Sequence, residues 1–289
     1  MTPSCVIARS EATKQSYAQS EMNNRIGLIA GNGRFPIIFA ESARKKGVEV
    51  IAIGINEETS KELEKFVSKI YWLGVGELER LLEILKEENI RSIVMAGQVR
   101  HKLLFDKNIK IDQRMQFLLG NLRNKKTDSI IGAVARLLEF KGIKVLSSII
   151  FLSDYLPQKG VLTRLLPDER VLKDIDFGRK IAKTIAGLDI GQSIIVKEKS
   201  VLAVESIEGT DEAIKRAAKY GKEGIVVIKV TKPRQDMRFD VPVVGPDTIK
   251  LLQEVKAACL AIEAKKTLII DMQETLKLAD ASGISIIAI

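Results

Sequence analysis

The residues best suited to chemistry lie in one charged stretch near the C-terminal end of the sequence, residues 229–246, KVTKPRQDMRFDVPVVGP. It contains four cations and two carboxylates, namely Lys229, Lys232, Arg234, Arg238, Asp236 and Asp240. Carboxylate oxygens bind Mg²⁺, whereas Lys and Arg bind phosphate oxygens, so this composition fits a site for a divalent metal ion and phosphate. The alternative is a solvated surface loop whose charges pair with one another.

The segments on either side of this stretch indicate where it stands in a fold. Residues 224–230, GIVVIKV, predict a buried parallel strand, and the pattern from Asp247 to about Ala264 predicts an amphipathic helix. Loops that follow strands in parallel α/β proteins lie at the carboxyl edge of the sheet, where ligand sites are built. This position gives the charged loop more functional weight than the same residues would have elsewhere.

Length and composition limit the class of protein. The 289 residues exceed one ordinary core and predict two domains, and 46% hydrophobic with 29% charged residues describes a globular chain. No apolar run reaches the roughly 18 residues that a membrane-spanning helix needs. Cys5 and Cys259 form neither a disulfide framework nor a metal knuckle, which fits a reducing cytoplasm. A single histidine, His101, disfavours His-rich metal sites and catalytic triads.

The charge balance points to an anionic partner. The formal net charge is +9, which suits nucleic acid, an anionic membrane surface or a phosphorylated ligand. Aromatic residues make up only 5% of the chain, so binding of single-stranded nucleic acid by base stacking is the least supported of the three.

A second candidate site is the glycine turn GNGRFP at residues 31–36, between a predicted strand at 25–30 and a helix to about Lys46. Free backbone N–H groups and the helix dipole at such a turn attract phosphate. The turn differs from a dinucleotide fingerprint, because Pro36 replaces the third glycine and the second strand ends at Asn56 without an acid for ribose. The alternative is a tight turn that only packs the helix on the strand.

Strands and helices alternate through residues 25–152 and predict an N-terminal Rossmann-like domain with a doubly wound parallel sheet. The further expected elements are strands at 48–55, 71–73, 92–96 and 143–152, and helices at 61–69, 78–88 and within 100–140. The strand at 92–96 leads into another strand-end loop, Gly97 to Arg100, which contains Gln98. Residues 1–24 show neither periodicity nor a secretory pattern, and we expect a disordered extension or a true start at Met22.

A linker is predicted at 153–168, where Pro157, Gly160 and Pro167 interrupt the periodicity, followed by a smaller C-terminal α/β domain at 169–289. Its expected elements are a helix at 177–186, a hairpin of strands at 193–196 and 201–205, a strand at 267–270, a helix at 272–279 and a strand at 284–289. Between the hairpin and the charged loop we expect a helix with Thr210 as N-cap and Asp211 in its first turn.

Five motifs in this order resemble the metal-dependent UDP-2,3-diacylglucosamine pyrophosphatases of the LpxI type, which act in lipid A synthesis. They are AGNGRFP from Ala30, AGQV from Ala96, GVLTRLLP from Gly160 leading to DI at 174–175, AVESIEGTDEAI from Ala203 and KPRQDMRFDVPVVGPDTI from Lys232. The resemblance covers about residues 25–289; Asn32 departs from it where many members have a further glycine. It implies Mg²⁺-dependent hydrolysis of UDP-2,3-diacylglucosamine to UMP and 2,3-diacylglucosamine 1-phosphate by a Rossmann-like domain and a C-terminal α/β catalytic domain.

Cleavage of a pyrophosphate depends on positioning and on positive charge around the phosphoryl oxygens. We expect Asp240 and Asp236 to bind Mg²⁺ or to orient the attacking water, and Lys232 and Arg238 to bind the phosphates. Further metal or water contacts are expected from Glu205, Glu208 and Asp211. Further substrate contacts are expected from Gly31, Asn32, Gly33, Arg34, Phe35, Pro36, Gln98, Thr210 and Gln235.

The two acyl chains of such a substrate and the positive net charge predict a cytoplasmic protein that associates peripherally with the anionic inner-membrane surface. We expect no nucleic-acid partner, and a homodimer is compatible with the sequence.

Two other functions remain open at this point. A nicotinamide-dependent oxidoreductase fits a domain that begins with a glycine turn, although Pro36 and Asn56 argue against it. A nucleotide-binding or scaffold protein without pyrophosphatase activity would explain the charge, but not the two acids within the basic loop.

Overall fold

The computed structural model of the chain describes residues 24–99, 110–122, 127–233 and 235–289. The described residues divide into two compact units, the first within residues 24–152 with 237–239 and the second within 153–236 with 240–289. The predicted α/β architecture with two domains is confirmed. The predictions for the N-terminal extension up to residue 23 and for Arg100, His101 and Arg234 lie outside the described residues.

The first unit is built on a five-stranded parallel sheet with the order β3-β2-β1-β4-β5. The central strands are apolar and largely buried, as expected for a parallel sheet with covered faces. The strands are β1 (Arg25–Ala30), β2 (Glu49–Ile55), β3 (Lys69–Leu73), β4 (Ser92–Ala96) and β5 (Lys144–Val145).

Four described helices accompany this sheet: α1 (Phe35–Lys45), α2 (Leu78–Glu87), α3 (Gln113–Gly120) and α4 (Thr127–Phe140). Helix α2 buries Leu78, Leu81, Ile84 and Leu85, which recur on one face. This face joins residues of α3 and α4 in a core against β2 and β4, whereas α1 contacts β1, β2 and β4.

Two predicted elements of the first unit differ in the structure. The helix expected at 61–69 is a 3₁₀ turn at Lys61–Lys65, and β3 begins at Lys69. The strand expected at 143–152 is only the two-residue β5, because the chain turns after it. There Ser148 donates a hydrogen bond from its backbone N–H to Met237 O, over 3.1 Å. The buried apolar run at 143–152 therefore does not continue as a strand, because the backbone after β5 bonds to a segment outside the sheet.

The second unit contains a mixed six-stranded sheet with the order β6-β13-β11-β9-β7-β8. Its neighbouring strands β9, β11 and β13 are parallel, and β6, β7 and β8 pair antiparallel. The strands are β6 (Gly160–Val161), β7 (Ser193–Lys197), β8 (Ser200–Val204), β9 (Val226–Lys229), β11 (Cys259–Ile262) and β13 (Ser285–Ala288). A separate parallel pair joins β10 (Val243–Val244) to β12 (Leu268–Ile269).

Helices cover this sheet in two layers. Helix α5 (Glu169–Gly187) packs Ile175, Ala182 and Ala186 against one set of strand residues. The helices α6 (Thr210–Gly221), α7 (Pro246–Glu254) and α8 (Met272–Ala281) pack against the alternate set. The strands β7, β9 and β11 contribute alternate residues to the two cores, which explains their nearly continuous apolar sequences.

Three expectations for the second unit are corrected. The residues expected as a linker, 153–168, belong to this unit and contain β6, which pairs with β13. Helix α5 begins at Glu169 rather than Phe177, because the Asp168 side chain caps it by accepting a hydrogen bond from Val171 N over 2.8 Å. Helix α7 ends at Glu254, and the apolar run expected to continue it is strand β11. The predicted hairpin is confirmed as β7 and β8. None of the described helices is long and apolar enough to cross a membrane.

Candidate functional site

The charged loop of the second unit leaves β9 and turns back on itself around Gln235. The backbone N–H of Lys232 donates to Gln235 Oε1 over 2.6 Å, and Gln235 Nε2 donates to the carbonyl oxygen of Asp240 over 2.7 Å. The backbone N–H of Asp240 donates to the carbonyl oxygen of Asp236 over 2.9 Å, as in one helical turn. The amide of Gln235 therefore bonds to both ends of the turn, and Lys232 and Asp240 face each other.

The Lys232 ammonium lies between two carboxylates. Its Nζ is 2.9 Å from Asp189 Oδ1 and 3.5 Å from Asp240 Oδ2. The side chains of Lys232 and Asp240 are 22% and 25% exposed, so solvent or a ligand can reach them. Asp189 follows α5 with a left-handed backbone, φ 58°. Sequence analysis missed Asp189, because it stands far from the loop along the chain and no local motif marks it.

Immediately before Lys232, Thr231 is held by a partly buried ion pair. The Lys183 Nζ lies 2.7 Å from Glu263 Oε2 and donates to the carbonyl oxygen of Thr231 over 2.9 Å. The backbone N–H and the hydroxyl of Thr231 both donate to Glu263 Oε2, over 2.8 and 2.6 Å. Lys183 on α5, Thr231 after β9 and Glu263 after β11 thus fix the start of the charged loop.

The charge of Glu263 is stabilised by these donors. Burial by itself raises the pKa of this carboxyl group, but the hydrogen bonds from Lys183 and Thr231, helped by Lys266, outweigh it and lower the pKa to about 2. The Glu263 side chain is only 10% exposed. It therefore stays ionised at any physiological pH and acts as a permanent anchor beside Lys232. Sequence analysis missed both Glu263 and Lys183.

Glu205 and Thr210 come together, although not as expected. Gly209 is the N-cap of α6 and Thr210 is its first residue, so the prediction that Thr210 caps the helix is wrong. The Thr210 hydroxyl instead donates to Glu205 Oε1 over 2.8 Å and accepts a hydrogen bond from Lys229 Nζ over 3.4 Å. Glu205 Oε2 accepts a hydrogen bond from the backbone N–H of Gln192 over 3.2 Å. This makes a polar cluster at the end of β9.

The five acids expected as metal contacts do not converge on one point. Among the residues that the structure describes, no group of three or more His, Cys, Asp or Glu side chains is placed to hold a metal ion. Glu208 accepts a hydrogen bond from Arg216, and its own backbone N–H and this guanidinium keep its pKa below the usual value. Asp211 is exposed in the first turn of α6.

Asp236 and Asp240 nevertheless suit Mg²⁺. They lie one turn apart on the same loop. In phosphate-cleaving enzymes Mg²⁺ usually takes one or two carboxylates and completes its coordination with substrate phosphates and water, rather than with a protein cage. The donor set of this loop fits that pattern.

In the first unit the two predicted strand-end loops meet. Asn32 N donates to Gln98 O over 2.7 Å, Gln98 N donates to Asn32 O over 3.2 Å, and Gly31 N donates to Ala96 O over 2.8 Å. A Cβ atom on Gly31 would lie 2.4 Å from Gln98 O, and one on Gly97, which has φ +91°, would lie 2.6 Å from Asn32 O. Only glycine at these two positions permits so close an approach.

The other residues of the glycine turn divide into exposed and buried ones. Asn32, Gly33, Arg34 and Gln98 are exposed, as a ligand site requires. Phe35 and Pro36 begin α1 and are buried in the core. Their side chains therefore pack in the core, and the expectation that they contact substrate stays a prediction.

Arg238 belongs to the first unit rather than to the second. Its guanidinium donates to Glu139 Oε1 over 2.6 Å and lies 5.6 Å from the centroid of the Phe239 ring. The expectation that Arg238 binds the phosphates together with Lys232 stays a prediction.

Beside the glycine turn, the first unit contains an apolar cavity of about 120 Å³. Gly31 and Gly97 line it, together with residues at the carboxyl ends of β1, β2, β3 and β4 and residues of α2, α3 and α4. Among the lining residues that the structure describes, Glu77 is the only charged one. Sequence analysis did not anticipate this cavity, because its lining residues read as ordinary core positions.

Comparison with known families finds matches to both units. A model described as the LpxI N-terminal domain matches residues 25–155, and one described as the LpxI C-terminal domain matches residues 158–287. A curated relative, the UDP-2,3-diacylglucosamine pyrophosphatase LpxI of Caulobacter vibrioides, is 27% identical over 277 residues, which is 92% of this chain and 97% of the relative.

Solved structures show only a distant likeness. The biotin carboxylase domain of the Hydrogenobacter thermophilus 2-oxoglutarate carboxylase matches with a TM-score of 0.27 and 17% identity, over 68% of this chain and 41% of that one. The N5-carboxyaminoimidazole ribonucleotide synthetase of Thermotoga maritima matches with a TM-score of 0.24 and 14% identity, over 63% of this chain and 41% of that one. The matches span less than half of those two structures.

Proposed function

Because the chain belongs to the LpxI family, we propose that it cleaves the pyrophosphate bond of UDP-2,3-diacylglucosamine and releases UMP and 2,3-diacylglucosamine 1-phosphate, a step of lipid A synthesis. The observation that carries this proposal is the match of the family's two domains, in order, along residues 25–155 and 158–287. The near full-length similarity to a named pyrophosphatase supports it. The nicotinamide-dependent alternative is not favoured.

The reaction needs little covalent chemistry from the protein. The oxygen of a water molecule bonds to one phosphorus, the bridging oxygen leaves with the other phosphate, and a water proton passes to solvent or to a neighbouring base. Catalysis of such a transfer rests on positioning and on stabilisation of negative charge. The charged loop has residues for both tasks.

Lys232 is the residue that we assign to the phosphates. Its ammonium already contacts two carboxylates at 2.9 and 3.5 Å, and a phosphate oxygen can take the place of Asp189 with a similar charge-assisted contact. Gln235 holds the backbone on both sides of this contact, and Glu263 anchors Thr231, the residue before Lys232. The ammonium therefore needs little rearrangement to bind an anionic substrate.

We assign Asp240 and Asp236 to a Mg²⁺ ion or, for Asp240, to the attacking water. Bound Mg²⁺ would supply charge neutralisation at the phosphoryl oxygens. Asp240 also faces Lys232, so its carboxylate can hold the ammonium in place while it accepts a hydrogen bond from water. Glu205, with Thr210 and Lys229, stands as a second set of polar contacts at the end of β9.

We further propose that the protein takes its acylated substrate from the anionic face of the cytoplasmic membrane. Arg164 and Leu166 stand out on the second unit, with 94% of the Arg164 side chain and 68% of Leu166 exposed. Arg170 and Lys173 follow in the first turns of α5, where they pair with Asp168 and Glu169. Apolar and basic side chains in one segment suit a surface that binds anionic lipid. A homodimer stays a prediction, to be examined by light scattering.

The function is tested by incubating the full chain with UDP-2,3-diacylglucosamine and separating the products by thin-layer chromatography. We expect UMP and 2,3-diacylglucosamine 1-phosphate in equal amounts, their loss with EDTA, and recovery when Mg²⁺ is added in excess. UMP release that EDTA leaves unchanged would reject the metal assignment and keep the hydrolase. No UMP under any condition would reject the proposed function.

A further inference from the structure

The apolar cavity of the first unit has no place in the cleavage reaction itself. Its lining includes Ile55 at the end of β2, Met95 on β4, and Ile131 and Val134 on α4. Glu77 contributes the one charged group among the described lining residues, and its carboxylate already accepts a hydrogen bond from the backbone N–H of Gly74 over 2.5 Å. The described part of the lining therefore offers a ligand an apolar surface with few polar partners.

The size and position of the cavity argue against a simple packing defect. Protein interiors are close-packed and contain few voids larger than a water molecule, whereas this one measures about 120 Å³. A void of roughly 10–15 Å³ holds one water-sized group, so there is room for roughly ten methylene-sized groups. Ile131, Val134 and Val99 are only half-buried, so the lining is accessible in part.

We propose that this cavity binds the end of one acyl chain of the substrate and thereby sets the acyl-chain length that the protein prefers. The inference rests on the proposed function. An apolar cavity excludes a phosphate or a uracil, because their polar groups would lose hydrogen bonds to water without replacement. A saturated acyl chain has no hydrogen bonds to water to lose, and the hydrophobic effect favours its burial in the cavity. Gly31 and Gly97, which line the cavity, also belong to the two hydrogen-bonded strand-end loops of the first unit.

The test fills the cavity from one helix. Val134→Phe and Ile131→Phe place a larger side chain in the lining, and Leu137→Phe serves as the matched control, since Leu137 is a half-buried residue of α4 outside the lining. Substrates with short, intermediate and long acyl chains are compared by kcat/KM for each protein. Thermal unfolding of all three variants shows whether they are folded.

For the parent, each methylene that enters the cavity should raise kcat/KM about fourfold. If the new ring displaces two methylenes, Val134→Phe lowers kcat/KM for the long chain roughly 15-fold and leaves the shortest chain within about twofold. Ile131→Phe should act in the same direction, and Leu137→Phe should keep the parental profile. Equal chain-length profiles in the parent and in both folded lining variants would overturn the inference while leaving the hydrolase intact.

A binding measurement separates this inference from the proposed function. Dodecanoate is titrated into each protein by calorimetry, without any turnover. If dodecanoate binds the parent and Leu137→Phe, and binds both lining variants at least tenfold more weakly, the cavity is supported as an acyl-chain site. This holds even if the parent releases no UMP. Equal affinity of all four proteins, or no binding to the parent, contradicts it.

Discussion

Glu263→Gln is expected to destabilise the second unit and to remove part of its sensitivity to acid. The variant keeps the shape of the side chain but removes the charge that Lys183 and Thr231 contact. Loss of the charge leaves the Lys183 ammonium, 31% exposed, without its ionic partner Glu263. An uncompensated charge in a partly buried position is costly.

The size of the effect follows from the pKa. The Glu263 pKa is lowered from 4.5 to about 2, and one pKa unit corresponds to about 1.4 kcal/mol. Lys183 and Lys266 are partly exposed to solvent, which screens their interaction with Glu263. We therefore expect Glu263→Gln to lower the free energy of unfolding at pH 7 by about 2 kcal/mol, less than the whole pKa shift would give. A carboxyl group with a lowered pKa stabilises the fold above its unfolded pKa, and this contribution is lost as the pH falls from about 4.5 towards 2.

The assay is urea unfolding of the parent and of Glu263→Gln, at pH 7 and at pH 3. The difference in free energy of unfolding between the two proteins should be larger at pH 7 than at pH 3. Glu169→Gln is the control, since Glu169 is 83% exposed and pairs with Lys173 on the surface, so its effect should stay below about 0.5 kcal/mol. If the difference in free energy of unfolding between the parent and Glu263→Gln is the same at both pH values, the lowered pKa of Glu263 does not stabilise the fold as argued.

Three further predictions concern the proposed activity. Asp240→Ala should lower kcat about 100-fold or more with little change in KM, because its role lies mainly in the transition state; parental turnover would remove Asp240 from the mechanism. Lys232→Ala should raise KM as well as lower kcat, since a phosphate contact acts in both states; an unchanged KM would contradict this. Replacing Leu166 by Glu should weaken cosedimentation with anionic vesicles at low salt without changing hydrolysis of detergent-dispersed substrate; unchanged sedimentation would exclude that surface.

The elements that follow local rules were predictable from the sequence. The hairpin of β7 and β8 consists of two apolar runs joined by a short polar loop, and the sheet of the first unit follows from regular alternation of strands and helices. The meeting of Gly31 with Gln98 was also foreseeable in outline, because both follow strands that are neighbours in such a sheet. The motif resemblance pointed to the correct family.

Features that depend on distant partners were not predictable. Strand β11 has four apolar residues that fit a helix as well as a strand, and only its position between β9 and β13 decides the matter. Thr210 matches the sequence rule for an N-cap, yet its hydroxyl bonds to Glu205 and Gly209 takes the capping position. Asp189 and Glu263 are isolated acids in the sequence and gain their roles only through folding.

These distant partners explain how the charged loop can be both fixed and reactive. The buried Glu263 carboxylate bonds to the backbone N–H and hydroxyl of Thr231, so the chain leaves β9 in a defined direction. One residue later, the Lys232 ammonium meets Asp189 and Asp240 in a partly exposed position. A partly exposed ion pair contributes little to stability because solvent screens it. Displacement of Asp189 from Lys232 by a phosphate therefore costs the protein little stabilising free energy. The rigid anchor and the weak contact together leave Lys232 pre-oriented for an anion at small cost.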